Sequence, residues 1–96
     1  MVVLVAYDVN TQTPEGRKRL RRVAQQCENY GTRVQKSIFE CVLRDQDWLQ
    51  LRAGLIGEMD AGKDSIRIYF LDEDTRRKTE HHGTKKPVDV EGALIV

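Results

Sequence analysis

Apolar residues along this chain fall in short blocks whose spacing shifts from continuous to helical to alternating. The first block, Val2-Val3-Leu4-Val5-Ala6-Tyr7, runs into Asp8 with no polar relief. A run so short, rich in β-branched residues and closed by Asn10-Thr11-Gln12-Thr13-Pro14, predicts a buried central strand. Thr13-Pro14-Glu15 then marks a helix start, with Thr as N-cap, Pro at the first helical position and Glu at the positive end of the dipole. Leu20, Val23, Ala24 and Cys27 keep the spacing of one buried face as far as about Tyr30, where Gly31 is expected to be a left-handed stop. Gly16 falls on that face, where a missing side chain lets the helix come close to the strand. Lys18, Arg22 and Gln25 point away from it. Arg17 and Arg21 flank the apolar stripe on one side, Arg19 and Gln26 on the other.

Thr32 to Leu43 is extended, but Val34 has one parity and Phe39, Cys41 and Leu43 the other. The change near Lys36-Ser37 requires a bulge, a sharp bend or a tight reversal, and the pattern does not choose among them. Asp45-Gln46-Asp47 opens a second helix, with Trp48, Leu51, Leu55 and Met59 as its core stripe and Leu49, Arg52 and Ile56 beside it. Ala61-Gly62-Lys63-Asp64 breaks that helix. Ser65 to Leu71 alternates and then becomes apolar on both faces, as a buried strand does. Asp72 to Lys78 reads as a charged loop, Thr79 to Gly83 as a short strand and Lys85-Lys86-Pro87 as a break. Val88-Asp89-Val90 and Ala93-Leu94-Ile95-Val96 leave an apolar tail that must be covered.

The order strand, helix, strand region, helix, strand predicts an α+β fold, a ferredoxin-like sandwich. Right-handed crossovers put both helices on one face of an antiparallel sheet. One domain over residues 1–96, with its core in about 1–71, accounts for the length. The other sheet face is left bare, and a second copy of the chain is the simplest cover for it.

Charge sharpens this picture where composition does not. The net charge of +1 is uninformative, but residues 1–44 carry eight Lys/Arg against four Asp/Glu, and residues 45–96 carry eight against eleven. The first half therefore builds a basic surface. Cys27 and Cys41 lack metal-ligand spacing and fall at apolar positions, which points to buried free thiols in a reduced cytoplasm. No targeting segment or membrane span is expected.

Four features come together in such a fold: Tyr7-Asp8 ending the strand, Asn10 in the first turn, the basic helix start, and the bent strand from Arg33 to Glu40. On residues alone Asp8 reads first as a cap for the turn, slightly ahead of any chemical role. A single carboxylate holds Mg²⁺ poorly, since that ion prefers one or two carboxylates with phosphate oxygens and water. Two copies of Asp8 across a dimer axis would hold it better. Arg17, Lys18, Arg19, Arg21 and Arg22 would then meet a phosphate backbone as positioning contacts, although such a cluster is ordinarily a solvated helix face. Ser37 has no His–Asp arrangement around it, and Phe39 is a core position before it is a base-stacking one.

These motifs carry a resemblance. Tyr7-Asp8-Val9, Tyr30-Gly31-Thr32-Arg33-Val34-Gln35-Lys36-Ser37-Ile38-Phe39-Glu40 and Pro87-Val88-Asp89, in this order over nearly the whole chain, resemble the second of the two universal CRISPR-associated proteins, the small adaptation nuclease. The resemblance implies a homodimer of ferredoxin-like subunits whose last strand crosses to the partner's sheet, within residues of about 79–96. It implies a partnership with the CRISPR integrase subunit in spacer acquisition. It also implies a metal-dependent endonuclease using Mg²⁺, or Mn²⁺ in its place, on single-stranded RNA or double-stranded DNA. Asp8 takes the metal position, and Tyr7, Arg33, Ser37 and Phe39 the other positions linked to activity. Arg17 and Arg19 match basic helix positions, and with Lys18 and Arg22 they form the expected nucleic-acid surface. The rival expectation is a non-catalytic scaffold that bridges integrase subunits and cradles nucleic acid with Asp8 idle. A ferredoxin-like metabolite-binding domain would need neither the basic helix nor Asp8.

Overall fold

A computed structural model describes residues 1–72 and 74–84. Seven elements follow in order: β1 (Val2–Asp8), α1 (Pro14–Glu28), β2 (Gly31–Gln35), β3 (Ile38–Val42), α2 (Asp45–Glu58), β4 (Ser65–Leu71) and the single turn α3 (Asp74–Arg77). The four strands form one sheet in the order β2-β3-β1-β4, antiparallel throughout. This is the expected ferredoxin-like α+β sandwich, with β1 at its centre.

Register decides the two faces, because residues opposite one another in an antiparallel ladder share a side. Val3 pairs with Cys41 and Phe70, Val5 with Phe39 and Ile68, and Tyr7 with Ile66. That side meets the helices, and Val3, Val5, Phe39 and Cys41 are fully buried there with Val23 and Cys27 of α1 and Leu51 of α2. Each such large apolar side chain contributes about 1.5–3 kcal/mol on burial. Leu4, Ala6 and Asp8, with Ile38, Glu40, Ser65, Arg67 and Tyr69 opposite them, look out from the other side. Tyr69 is 44% exposed on this uncovered face.

Thr13 caps α1 as expected, its Oγ1 accepting the Gly16 N–H at 3.1 Å, and Pro14 stands at the first helical position. Gly16 serves a neighbour other than the strand. A Cβ there would collide with the Asn10 carbonyl, so α1 lies directly against the loop that leaves β1. Gly31 is not a left-handed stop: α1 ends at Glu28 with Asn29 as its cap, and Gly31 opens β2. Its missing side chain makes room for Cys41 Sγ and the Glu40 carbonyl across the hairpin.

The parity change near Lys36 resolves into two devices. Lys36-Ser37 form a tight reversal between β2 and β3, and a register shift lies between Arg33 and Gln35. In α2, Leu51 and Leu55 are buried as expected, Trp48 packs edge-on against Phe70 at 5.1 Å, and Leu49 and Ile56 are exposed. Gly54 brings α2 close to Gln26 of α1. Two expectations fail beyond β4. The charged loop contains the turn α3, and Thr79 to Gly83 is irregular, with no strand. Its polar residues find backbone partners locally instead, as where Thr79 Oγ1 donates to the Thr75 carbonyl. The expected tail strands at 88–90 and 93–96 lie outside the described residues. No helix among the described residues is long and apolar enough to cross a membrane.

Candidate active site

Asp8 is the last residue of β1 and pairs with Ser65, the first of β4. Alternation turns its side chain to the open sheet face, while Tyr7 turns to the helices. Asp8 is exposed, and its carboxylate makes no hydrogen bond or ion pair among the described residues. It lines an open depression of about 350 Å³ with Asn10, Thr11, Gln12, Lys63 and Ser65. The reading of Asp8 as a cap therefore lapses: Asn10 Oδ1 caps this turn, accepting the Gln12 N–H at 3.0 Å.

The walls of the depression are held from behind by a residue that no sequence pattern marked. Asp64 has a fully buried side chain and forms an ion pair with Arg19, Nε to Oδ2 at 2.8 Å. Its Oδ1 accepts the Asn10 N–H at 3.0 Å and its Oδ2 accepts the Asp60 N–H at 2.8 Å. The Arg19 guanidinium, aided by these two backbone donors, holds the Asp64 carboxyl down at about 2. A buried carboxylate stays charged when donors surround it in this way.

The other expected site residues divide into two groups. Tyr7, Phe39 and Arg33 lie together on the helix side of the sheet. The Tyr7 and Phe39 rings stack at 6.2 Å, and the Arg33 guanidinium covers Phe39 at 5.0 Å while pairing with Glu28 at 3.1 Å. Phe39 is fully buried, so within one chain it supports Arg33 and is not a surface for bases to stack on. Burial pushes the Tyr7 phenol above its usual range, with the Arg33 charge opposing it. Ser37 sits in the hairpin turn, where its carbonyl accepts the Tyr7 N–H at 3.0 Å. This group and Asp8 face opposite sides of the sheet.

Among the basic helix residues, Arg17 reaches the loop beside Asp8, donating from Nη1 to the Thr11 carbonyl at 3.2 Å. Lys18, Arg21 and Arg22 are exposed on α1. Arg19 departs from them: its side chain is only 14% exposed and is turned inward onto Asp64. Cys27 and Cys41 are buried free thiols, both pushed up to about 12 by burial.

The donors around Asp8 fit Mg²⁺ in one respect. A free carboxylate beside hydroxyl, amide and carbonyl oxygens suits a hard cation that keeps several waters and takes phosphate oxygens. Among the described residues no group of three or more His, Cys, Asp or Glu could hold a metal, and Asp8 is the one carboxylate among the residues lining the depression.

The family model described as CRISPR associated protein Cas2 matches residues 1–79. The chain belongs to the Cas2 family. The motif resemblance is thereby borne out. A Chlorobaculum tepidum Cas2 named as a CRISPR-associated endoribonuclease is 54% identical over 96 residues, covering both chains fully. A Halalkalibacterium halodurans Cas2 named as a CRISPR-associated endonuclease is 46% identical over 95 residues and 99% of each chain. Among solved structures, Streptococcus pyogenes Cas2 superposes with a TM-score of 0.77 at 48% identity, covering 86% of this chain and 100% of that one. The Cas2 likeness thus extends over β1, the Asp8 loop and the hairpin.

Proposed function

We propose that this protein is a Mg²⁺-dependent endonuclease of CRISPR adaptation, hydrolysing phosphodiester bonds of RNA or DNA as a symmetric homodimer in the cytoplasm. The observation that carries this reading is Asp8, an exposed carboxylate with no hydrogen bond or ion pair among the described residues, standing at the end of an otherwise apolar strand in an open polar depression. The relatives' names as nucleases support this reading.

Asp8 is the metal ligand, with a second Asp8 from the partner completing the charge across the dimer axis. Held there, Mg²⁺ would supply charge stabilisation for the phosphoryl oxygens and lower the pKa of a water. Lys63 and Arg17 border the loop from which the phosphate is approached, and both favour an anionic substrate. Tyr7, Arg33, Ser37 and Phe39 act from the helix side, where the Arg33 charge meets the phosphates of a longer substrate and the Tyr7–Phe39 stack holds it in place. Arg17, Lys18 and Arg22 grip the backbone without reading sequence. The open sheet face supports pairing of two copies. The CRISPR integrase subunit docks on that dimer.

The scaffold reading draws on one specific observation. Lys18 and Arg22 are exposed on the helix layer, on the side of the sheet that Asp8 does not face. Incubation with single-stranded RNA and with duplex DNA, in Mg²⁺, Mn²⁺ and EDTA, separates the two. Cleavage of one substrate that stops on chelation is expected. Tight binding without cleavage of either substrate in any metal supports the scaffold and overturns the nuclease.

A further inference from the structure

We propose that Asp64, gripped by Arg19, is a positioning residue of the Asp8 site, stapling the β1–α1 loop to the α2–β4 turn just beyond the last rung of the β1–β4 ladder. The proposal rests on the reading of Asp8 as the metal ligand.

The ladder between β1 and β4 ends at Asp8 opposite Ser65. Strand ends fray unless something holds them, and here both chains diverge immediately into loops. Asp64 supplies the missing rung with its side chain. Its Oδ1 takes the Asn10 N–H, two residues beyond Asp8, and its Oδ2 takes the Asp60 N–H at the start of the opposing turn. That turn is closed in addition by the Lys63 and Asp64 N–H groups donating to the Asp60 carbonyl at 3.0 and 2.7 Å. The next peptide unit is held as well, since the Asn10 carbonyl lies against Gly16 and accepts from Arg19 Nη2 at 3.5 Å. One buried ion pair therefore fixes both walls of the depression, Asn10 to Gln12 on one side and Lys63 to Ser65 on the other.

Such a staple matters for a Mg²⁺ site in particular. The ion demands near-octahedral geometry, so a lone carboxylate on a fraying strand end loses affinity faster than it loses its fold. Groups that orient a ligand from behind change metal affinity by about 10–100-fold when removed. Asp64 and Arg19 touch neither substrate nor metal, and act only through Asn10, Asp60 and the last ladder rung.

The test uses the full-length protein with Asp64→Asn and Arg19→Gln, with Arg19→Lys as a milder variant that keeps a charged donor. Amide hydrogen exchange is read at Asn10 and at Val5 in the sheet centre, and Mg²⁺ binding is followed by calorimetry and by the metal dependence of cleavage. Asp64→Asn and Arg19→Gln are expected to speed Asn10 exchange at unchanged Val5 exchange, and to raise the Mg²⁺ midpoint about tenfold. The KM for nucleic acid at saturating Mg²⁺ should stay as in the wild type, and Arg19→Lys should recover part of the loss. Rapid Asn10 exchange with an unchanged Mg²⁺ midpoint reduces the pair to a stabilising contact and overturns the proposal. A raised KM in Arg19→Gln alone makes Arg19 a nucleic-acid contact and overturns it too. Asp8→Asn run in parallel separates the two levels. If Mg²⁺ binding survives Asp8→Asn, the reading of Asp8 falls and the proposal with it. If Asp8→Asn abolishes binding while Asp64→Asn leaves it intact, the positioning proposal alone falls.

Discussion

Replacing Gly16 by alanine sets two effects of similar size against each other. On helix propensity alone the change should stabilise α1 by up to about 1 kcal/mol. The added Cβ meets the Asn10 carbonyl oxygen, however, with the Asn10 carbonyl carbon at 3.0 Å and Thr11 Cα at 3.3 Å. All three are backbone atoms, so no side chain can rotate away, and the loop itself must move. Overpacking of this kind costs about 1–3 kcal/mol. Moving Asn10 also lengthens its hydrogen bond to the buried Asp64 carboxylate, a further loss of about 1–3 kcal/mol if the bond breaks. The net expectation is destabilisation by about 2 kcal/mol. Gly57 on α2 is the control, because a Cβ there meets nothing within 4 Å. Gly57→Ala should stabilise by about 0.5–1 kcal/mol. Urea unfolding followed by the fluorescence of Trp48, the only tryptophan, compares the two at equal protein concentration. With a slope of about 1 kcal/mol per molar urea, the midpoint should fall by about 2 M in Gly16→Ala and rise by somewhat less than 1 M in Gly57→Ala. A Gly16→Ala protein as stable as the wild type would refute the close approach of α1 to the Asn10 loop.

The Asp64–Arg19 pair carries a pH signature. The Asp64 pKa is depressed to about 2 in the fold, against about 4 in an unfolded chain, so its contribution is complete above about pH 4 and is lost as pH falls towards 2. Asp64→Asn should therefore show a shallower loss of stability between about pH 4 and pH 2 than the wild type, measured as urea midpoints; an identical profile would contradict the pairing. Replacing Arg17, Lys18 and Arg22 together by alanine should weaken binding to all nucleic-acid sequences alike. Each lost phosphate contact should lower the log–log salt slope by about 0.9 on duplex DNA, and an unchanged slope would move the binding surface elsewhere.

Much of the scaffold could be read from spacing because local chemistry and the final fold agree there. Val2, Val3, Val5 and Tyr7 of the apolar run in β1 are buried, Thr13 and Pro14 begin α1 where expected, and Val23, Ala24 and Cys27 face the core. The parity break at Lys36-Ser37 signalled a reversal, but a bulge beside it produces the same pattern, so sequence alone left them level. Gly31 misled because the usual glycine stop and a glycine needed for close hairpin contact look alike in a sequence. The candidate site was legible only in part. Asp8 was marked by its place after an apolar run, but Tyr7 was grouped with it although strand alternation turns the two apart. Asp64 was invisible because its partners Asn10 and Arg19 lie 54 and 45 residues away, and in the sequence it is one more polar residue in a break. Arg19 was hidden among four other basic residues on α1, and only the tertiary contact sets it apart.

Metal-dependent cleavage hangs on one carboxylate, which Asp8→Asn removes. The substitution keeps the side chain's size and removes its charge at an exposed position that makes no hydrogen bond or ion pair among the described residues, so fold and dimer should be undisturbed. Cleavage of single-stranded RNA and duplex DNA is measured across a Mg²⁺ titration, alongside nucleic-acid affinity and oligomeric state. Cleavage no greater than that of the wild type in EDTA is expected, with affinity and dimer retained. Mg²⁺-dependent cleavage at the wild-type rate in Asp8→Asn would contradict that expectation and place the chemistry away from the end of β1.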